Sequence, residues 1–200
     1  MKTAITISLL SITTAVGSLY QLWKPEPLDI PQAPATCADK SEATATAKPA
    51  PDTDTLVMNL PGRSVEKVYP ADQIEIGEHH YVTGIVINGK PRAYLEAGMS
   101  QPKSHVAYDR LGGQDIAIAF CDRTGDAQAF CGMEEEIRGI RVGGWRNENM
   151  ELIIGGNRQP IDASTNRLAT LDFKTVKWAE WKQLHPNTDI YLGDHEYLVN

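Results

Sequence analysis

Residues 24–55 contain six of the twelve prolines and no glycine, and they divide the chain into two unlike parts. The run CADKSEATATAKPAPDTDT, which begins at Cys37, has almost no large apolar side chain. Such a segment cannot bury enough surface to offset the entropy lost on ordering, and its prolines favour a partly extended spacer. Fifteen of the sixteen glycines follow it. We therefore predict a disordered Pro/Ala/Thr linker over residues 24–55 and one folded domain over residues 56–200.

The segment before the linker, residues 1–23, has the pattern of an export signal. Lys2 precedes an uncharged run from Thr3 to Leu22, which is typical of a secretory signal peptide. Ala15 and Gly17 are small residues suited to cleavage before Ser18. Twenty uncharged residues are also long enough to span a bilayer as an uncleaved anchor. The sequence thus predicts an extracytoplasmic protein of the periplasm or cell envelope, with the membrane as a partner through this segment.

Charge excludes one class of partner. The chain carries a net charge of -7, of which -5 belongs to residues 56–200, and it has no run of Lys or Arg. Nucleic-acid binding depends on a basic surface that releases phosphate counterions. We therefore expect no nucleic acid as a partner.

The domain has the patterns of strands joined by tight turns. Tyr81 to Ile87 is rich in β-formers, and Asn88-Gly89 predicts a hairpin whose returning strand, Arg92 to Leu95, starts at a sheet edge because of Pro91. Asp115 to Cys121 alternates, with Ile116, Ile118 and Phe120 on one face and Ala117, Ala119 and Cys121 on the other. Ile140 to Trp145 and Met150 to Ile154 predict a second hairpin. The fold class expected is mainly β, with antiparallel sheets and hairpins.

One short helix is expected near the C-terminus. Thr175 is a suitable N-cap, and Trp178 and Trp181 follow at helical spacing before Pro186 ends the helix. We expect the two tryptophans to form a stripe that faces the core. Ile190 to Leu192 could return as a final strand.

Five segments of the domain together resemble a family of bacterial extracytoplasmic proteins known as domain of unknown function 3179. In order they are GIVINGKPRAY (84–94), SHVAYDRLGGQDIAIAFC (104–121), DRTGDAQAF (122–130), IRVGGWRNENM (140–150) and VKWAEWKQLHPNTDIYL (176–192). The resemblance implies matching positions at His105, Asp109, Cys121, Thr124, Gly125, Trp178 and Trp181. The chain departs from the family's Cys-Pro-Leu-Thr-Gly at Cys121-Asp122-Arg123-Thr124-Gly125, and its segment after Met150 is shorter. The resemblance implies a fold and a location more than a reaction.

The matching Cys and His suggest a soft-metal site. Thiolate and imidazole are ligands that copper and zinc prefer, so His105 and Cys121 are the candidate metal ligands, with His79, His80 or Met133 to complete the shell. A five-residue turn DRTGD would pair residue 121 with residue 127 and place Cys131 opposite Ala117. Cys121 and Cys131 would then share a face about 13 Å apart, too far for a disulfide without a bulge.

Two other functions remain open at this point. In a thiol enzyme, Cys121 would be the nucleophile, His105 its base and Asp109 the residue that orients the base. In a non-catalytic module, the loops would bind an envelope protein or a glycan, and the tip Arg146 to Asn149 could contribute polar contacts. We expect an envelope domain that binds copper or zinc, with the binding module as the alternative and an enzyme as the least supported reading. The sequence does not determine the oligomeric state.

Overall fold

A computed structural model describes residues 55–163 and 168–198, with side chains to residue 195. The predicted signal or anchor, residues 1–23, and the predicted linker, apart from Thr55, lie outside the described residues. Within the described part of the chain, no helix combines the length and the apolar character that crossing a bilayer requires.

The described residues contain fourteen strands, two α-helices and four 3₁₀ helices (Ala71–Gln73, Glu96–Met99, Pro102–Ser104 and Gly193–Leu198), which confirms a mainly β fold. The strands are β1 (Leu56–Pro61), β2 (Arg63–Ser64), β3 (Tyr69–Pro70), β4 (Tyr81–Ile87), β5 (Lys90–Leu95), β6 (Val106–Leu111), β7 (Gln114–Phe120), β8 (Ala127–Cys131), β9 (Arg141–Arg146), β10 (Asn149–Ile154), β11 (Asn157–Pro160), β12 (Ala169–Leu171), β13 (Lys174–Lys177) and β14 (Asp189–Tyr191). The helices are α1 (Glu134–Arg138) and α2 (Trp178–Leu184).

The described strands form three sheets, mostly antiparallel. The first sheet has the order β1-β9-β10-β11, the second β12-β8-β7-β6-β2, and the third β13-β4-β5-β14-β3. Two pairings are parallel, β2 with β6 and β14 with β5. The second and third sheets are therefore mixed, and the first is purely antiparallel.

The second sheet lies between the other two and is covered on both faces. Ala117, Ala119 and Cys121 pack into a core shared with the first sheet. Ile116, Ile118 and Phe120 pack into another core shared with the third sheet. This arrangement confirms the two faces predicted from the alternation, and it explains why both faces of β7 are apolar: neither meets water.

The predicted hairpins are present, with one correction. β4 and β5 pair antiparallel around Asn88-Gly89, and β9 and β10 pair around a two-residue turn whose Asn147 and Glu148 both have positive φ. The prediction that the strand after Pro91 starts at a sheet edge is wrong, because β5 lies between β4 and β14. β14 pairs with β5 only from Arg92 onwards, so the missing N–H of Pro91 precedes that pairing.

The C-terminal helix is present but begins later than predicted. Lys177, not Thr175, occupies the N-cap of α2, because Lys174–Lys177 pairs with β4 as strand β13. Trp178 and Trp181 are both buried against the third sheet, as expected for a core-facing stripe. A second helix, α1, is absent from the prediction. The predicted final strand exists as β14.

The turn after β7 is tighter than predicted and changes the strand register. Cys121 N–H donates to Asp126 O at 2.8 Å, and Gly125 N–H donates to Cys121 O at 2.8 Å, so the loop holds four residues, 122–125. Cys131 consequently pairs with Ile116 rather than Ala117. A register shift of one residue reverses the face, so Cys131 lies on the opposite face of the sheet from Cys121.

Candidate functional site

Cys121 and His105 line the same cavity, of about 140 Å³, at one end of the second sheet. Cys121 directly follows β7, and its side chain belongs to the core shared with the first sheet. His105 precedes β6, and its carbonyl oxygen accepts a hydrogen bond of 2.8 Å from Phe120 N–H. The antiparallel ladder of β6 and β7 therefore brings together two residues that are sixteen positions apart in the sequence.

The hydrogen bond of His105 determines which ring nitrogen faces a ligand. Its Nδ1 lies 2.7 Å from the carbonyl oxygen of Met99. A carbonyl only accepts, so Nδ1 carries the hydrogen, and in the neutral ring Nε2 keeps its lone pair. A backbone carbonyl on one ring nitrogen is the usual arrangement that orients a metal-binding imidazole. Nε2 is therefore the atom of His105 that can bind a metal or accept a proton.

Asp122, beside Cys121, is the carboxylate nearest to that nitrogen. His105 Nε2 lies 3.4 Å from Asp122 Oδ1, and the pair is ionic only when the ring is protonated. The sequence interpretation missed this residue. Its signal lay in the departure from the family pattern, which has proline at this position.

Side chains of the first sheet form the opposite wall of the cavity. Met58 comes from β1, while Gly144 and Trp145 come from β9 and Met150 from β10. The Arg123 guanidinium lies 4.7 Å from the centre of the Trp145 ring, in a cation–π contact at the wall. Two methionines thus line the same cavity as Cys121 and His105. Met58 and Met150 come from strands that are distant in sequence, so no local pattern indicates either residue as a ligand.

Asp109 lies away from this cavity, in a buried ionic network. Arg92 Nη1 donates to both oxygens of Asp109, at 2.8 and 2.7 Å, and the Tyr94 hydroxyl donates to Asp109 at 2.5 Å. Arg92 also donates two hydrogen bonds to Asp189, at 2.7 and 2.9 Å. The expected role of Asp109 in orienting His105 is therefore wrong: its carboxylate is bound by Arg92 and Tyr94, and Nδ1 of His105 is bound by Met99.

The same network shifts the pKa of two of its members. Burial alone would lower the pKa of Arg92, but its hydrogen bond to Asp189 and the charge of Asp109 outweigh burial and raise it. Burial, together with the neighbouring Asp109 carboxylate, raises the pKa of Tyr94 well above its usual value. Arg92 stays charged and Tyr94 neutral at physiological pH, which suits a structural clamp between β5, β6 and β14.

A second cavity, of about 460 Å³, adjoins the first at Asp122, which lines both. His79 and His80 line this second cavity with their rings stacked 4.6 Å apart. Burial, followed by the nearby His79 and His195, lowers the pKa of His80. Tyr81 and Glu96 are also in its wall.

The structure places the expected shell residues elsewhere. His79 and His80 belong to the second cavity, and Met133 is 69% exposed at the start of α1 and lines neither cavity. Across residues 55–163 and 168–198, no three His, Cys, Asp or Glu side chains are grouped closely enough to hold a metal ion. His79, His80 and Met133 therefore do not line the first cavity, contrary to the prediction that one of them completes the metal shell there.

The remaining matching positions have structural roles. Thr124 Oγ1 accepts a hydrogen bond of 3.3 Å from Asp126 N–H, and Gly125 adopts a φ of 76° in the four-residue turn. Trp181 Nε1 donates to Thr188 Oγ1 at 2.9 Å, which links α2 to the segment before β14. Thr124 and Gly125 thus fix the turn that positions Cys121 and Asp122.

The two described cysteines differ in chemical state. Cys121 is a free, buried thiol, whereas Cys131 is disulfide-bonded. Cys121 and Cys131 are therefore not bridged to each other, and they lie on opposite faces of the sheet rather than on the one face predicted. Cys37, the remaining cysteine of the sequence, lies outside the described residues. Cys121 is thus the thiol that is available to the cavity.

In comparisons with known proteins, no family model, no curated protein and no solved structure matches this chain. The resemblance to domain of unknown function 3179 stays a prediction.

Proposed function

We propose that this chain is an exported cell-envelope protein, tethered to the membrane by residues 1–23, whose β domain binds a soft metal ion, copper or zinc, through Cys121 and His105. One observation carries the proposal: a free thiol and an imidazole with a fixed tautomer line one small cavity. Thiolate sulfur and imidazole nitrogen are preferred ligands of both metals. The Met99 carbonyl holds the imidazole so that Nε2 is the coordinating atom.

Metal content tests this function directly. The full-length chain is purified without chelator, loaded separately with Cu(I) under anaerobic conditions and with Zn(II), desalted and measured by inductively coupled plasma mass spectrometry. We expect about one equivalent of one metal, and its loss in Cys121→Ser. His79→Asn, which alters the second cavity, is the matched control and should retain the metal. Wild-type protein that holds neither metal above background would refute the proposal.

The location is tested separately from the metal. Alkaline phosphatase folds to its active form only after export, so a fusion after Asn200 should be active, and deletion of residues 1–23 should abolish that activity. A fusion of β-galactosidase, which is active only in the cytoplasm, should show the opposite pattern. Cleavage before Ser18 is read from the mass of the mature N-terminus, and an intact N-terminus in the membrane fraction indicates an anchor.

The second cavity favours a second candidate function, a non-catalytic module that binds a glycan or an envelope protein. Tyr81, 52% exposed, presents an aromatic ring beside Glu96, Asp122 and Ser100. An exposed ring next to polar groups can stack on a sugar or a side chain while the polar groups fix its orientation. Binding to immobilised envelope glycans that is lost in Tyr81→Ala, with metal content unchanged, would support this function. Equal binding by wild type and Tyr81→Ala would contradict it.

A further inference from the structure

We propose that the metal is copper(I), and that the thioether sulfurs of Met58 and Met150 complete its coordination with Cys121 and His105. This inference depends on the proposed metal-binding function and specifies the metal, its oxidation state and two further ligands. Met58 and Met150, which line the cavity, thus take the place that the sequence predicted for His79, His80 or Met133.

Sheet geometry brings both methionines to the core cluster that contains Cys121. β9 lies between β1 and β10, so Met58 and Met150 approach the cavity from the two sides of one strand. Met150 is 2% exposed and shares a core cluster with Cys121, and Met58 packs against that cluster. The cavity volume of about 140 Å³ equals the liquid volume of only a few waters, at about 30 Å³ each. Four residues that carry sulfur or nitrogen donors therefore line one small space.

The donor set distinguishes copper(I) from zinc. Thiolate and thioether sulfurs are soft ligands that select Cu(I). Structural zinc takes four ligands from Cys, His and carboxylates, and catalytic zinc takes three. Asp122 lines the cavity with Cys121 and His105, but within the described residues no three such side chains are grouped closely enough to hold a metal ion. A site with one thiol, one imidazole and two thioethers therefore matches Cu(I).

Charge balance favours the same ion. When the Cys121 thiol binds, the S–H bond is lost, a Cu–S bond forms, and the proton passes to solvent: one positive charge replaces another. No electron is transferred, because the ion binds as Cu(I). The cavity wall holds both the Arg123 guanidinium and the Asp122 carboxylate, whose charges offset each other. With the Cys121 thiolate, a monovalent ion therefore leaves the site neutral, whereas a divalent ion leaves one uncompensated positive charge.

The test measures the Cu(I) affinity of methionine variants of the full-length chain. Wild type, Met58→Leu, Met150→Leu and the double variant compete under anaerobic conditions with bicinchoninate, a chromophoric Cu(I) chelator. Leucine is close to methionine in volume but has no sulfur, so the core stays filled. Met133→Leu, at an exposed position outside the cavity, is the matched control. Circular dichroism and melting temperature identify any variant that fails to fold. If Met150→Leu does not fold, Met58→Leu still tests the thioether assignment, because Met58 is only partly buried.

Even changes outside the first coordination shell weaken metal affinity by about 10–100-fold. We therefore expect each cavity variant to weaken Cu(I) binding at least about tenfold, the double variant more, and Met133→Leu to match wild type. Copper K-edge X-ray absorption of the wild type should show sulfur scatterers whose number falls in the double variant.

Wild-type affinity in a folded double variant would overturn the thioether assignment and leave the Cys121–His105 site standing. A wild-type chain that binds zinc but not Cu(I) would overturn the choice of metal, and one that binds neither would overturn the proposed function as well.

Discussion

His105 donates a hydrogen bond from Nδ1 to the carbonyl oxygen of Met99 at 2.7 Å, which leaves Nε2 toward the cavity that Cys121 also lines. The fixed tautomer separates two roles within one ring: Nδ1 holds the residue in place and Nε2 is available for chemistry. A substitution that keeps the first role and removes the second isolates the function of the imidazole from its effect on folding.

His105→Asn is expected to make that separation. The Asn amide nitrogen occupies a position close to that of Nδ1 and can still donate to Met99, but no atom replaces Nε2. Its free energy of unfolding should lie within about 1 kcal/mol of wild type, since the hydrogen bond is kept, while Cu(I) affinity falls by at least about tenfold. Denaturant titration and chelator competition measure the two quantities. His105→Gln, which loses the bond to Met99, is the comparison and should be the less stable variant.

The buried network around Asp109 predicts a structural rather than a chemical phenotype. Asp109 is 5% exposed and Arg92 13% exposed in their side chains, so Asp109→Asn weakens a charge-assisted bond away from water. We expect a loss of about 2–4 kcal/mol in the free energy of unfolding. The rate at which iodoacetamide alkylates Cys121 should keep its wild-type dependence on pH in the folded variant.

Asp115→Asn is the matched control for that change. Asp115 pairs with Arg110 at 3.6 Å on the surface, where Arg110 is 66% exposed, so its loss should cost less than about 1 kcal/mol. Equal destabilisation by Asp109→Asn and Asp115→Asn would contradict the structural assignment. A changed pH dependence of Cys121 alkylation in Asp109→Asn would instead restore the role of Asp109 in orienting the thiol's base.

Glu96, in the second cavity, predicts a pH-dependent effect on stability. Burial raises the pKa of Glu96, partly opposed by hydrogen bonds from Thr83 and Thr175. Folding thus disfavours its ionised form, and this penalty develops as pH rises from the unfolded value of 4.5 through the folded value. Glu96→Gln, whose amide oxygen can still accept from Thr83, should be more stable than wild type at neutral pH, by up to about 1 kcal/mol.

The difference between Glu96→Gln and wild type should disappear below the unfolded pKa, where both side chains are uncharged. Melting temperatures measured from about pH 3 to pH 8 test this. Glu78→Gln is the control, because Glu78 is 76% exposed in its ion pair with Lys182. A stabilisation by Glu96→Gln that is the same at acidic and neutral pH would show that ionisation is not its cause.

We expect iodoacetamide to label Cys121 and Cys131 under different conditions. Cys121 is free and buried in the cavity wall, and Cys131 is disulfide-bonded. Under denaturing, non-reducing conditions iodoacetamide should modify Cys121 and leave Cys131 unmodified until a reductant is added. In the native protein, bound Cu(I) should slow alkylation of Cys121. Peptide mass spectrometry reads both results, and a modified Cys131 before reduction would contradict the assigned states.

Sequence patterns predicted the parts of the fold that depend on local chemistry. The alternation of β7 predicted which side chains face each core, and Asn88-Gly89 predicted a hairpin, because both signals involve neighbouring residues. Thr175 was predicted as an N-cap because its hydroxyl suits that position. The strand β13 instead occupies residues 174–177, where pairing with β4 provides ladder hydrogen bonds that a local pattern does not reveal.

The candidate site was predictable only in part for the same physical reason. The family resemblance indicated Cys121 and His105, and the ladder of β6 and β7 brings them to one cavity. Met58 and Met150 come from other strands, and apolar residues at alternating positions indicate a core rather than a ligand set. Asp122 and Arg123, which also line the cavity, stand where the family that the chain is predicted to resemble has Pro-Leu.

We expect Gly144 to fix the position of β1 and, with it, one wall of the cavity. Its φ is 121°, and a Cβ at this position would collide with the carbonyl oxygen of Leu56, so Gly144→Ala must displace β1. Gly89→Ala is the comparison, since Gly89 also has positive φ, 74°, but faces open space. Left-handed backbone alone costs an L-residue about 1–2 kcal/mol, so Gly89→Ala should lose about that much and Gly144→Ala more. Because β1 carries Met58, Gly144→Ala should also weaken Cu(I) binding while Gly89→Ala leaves it unchanged. Unfolding titrations and chelator competition on both variants test this, and equal losses of stability would show that β1 can move aside without penalty.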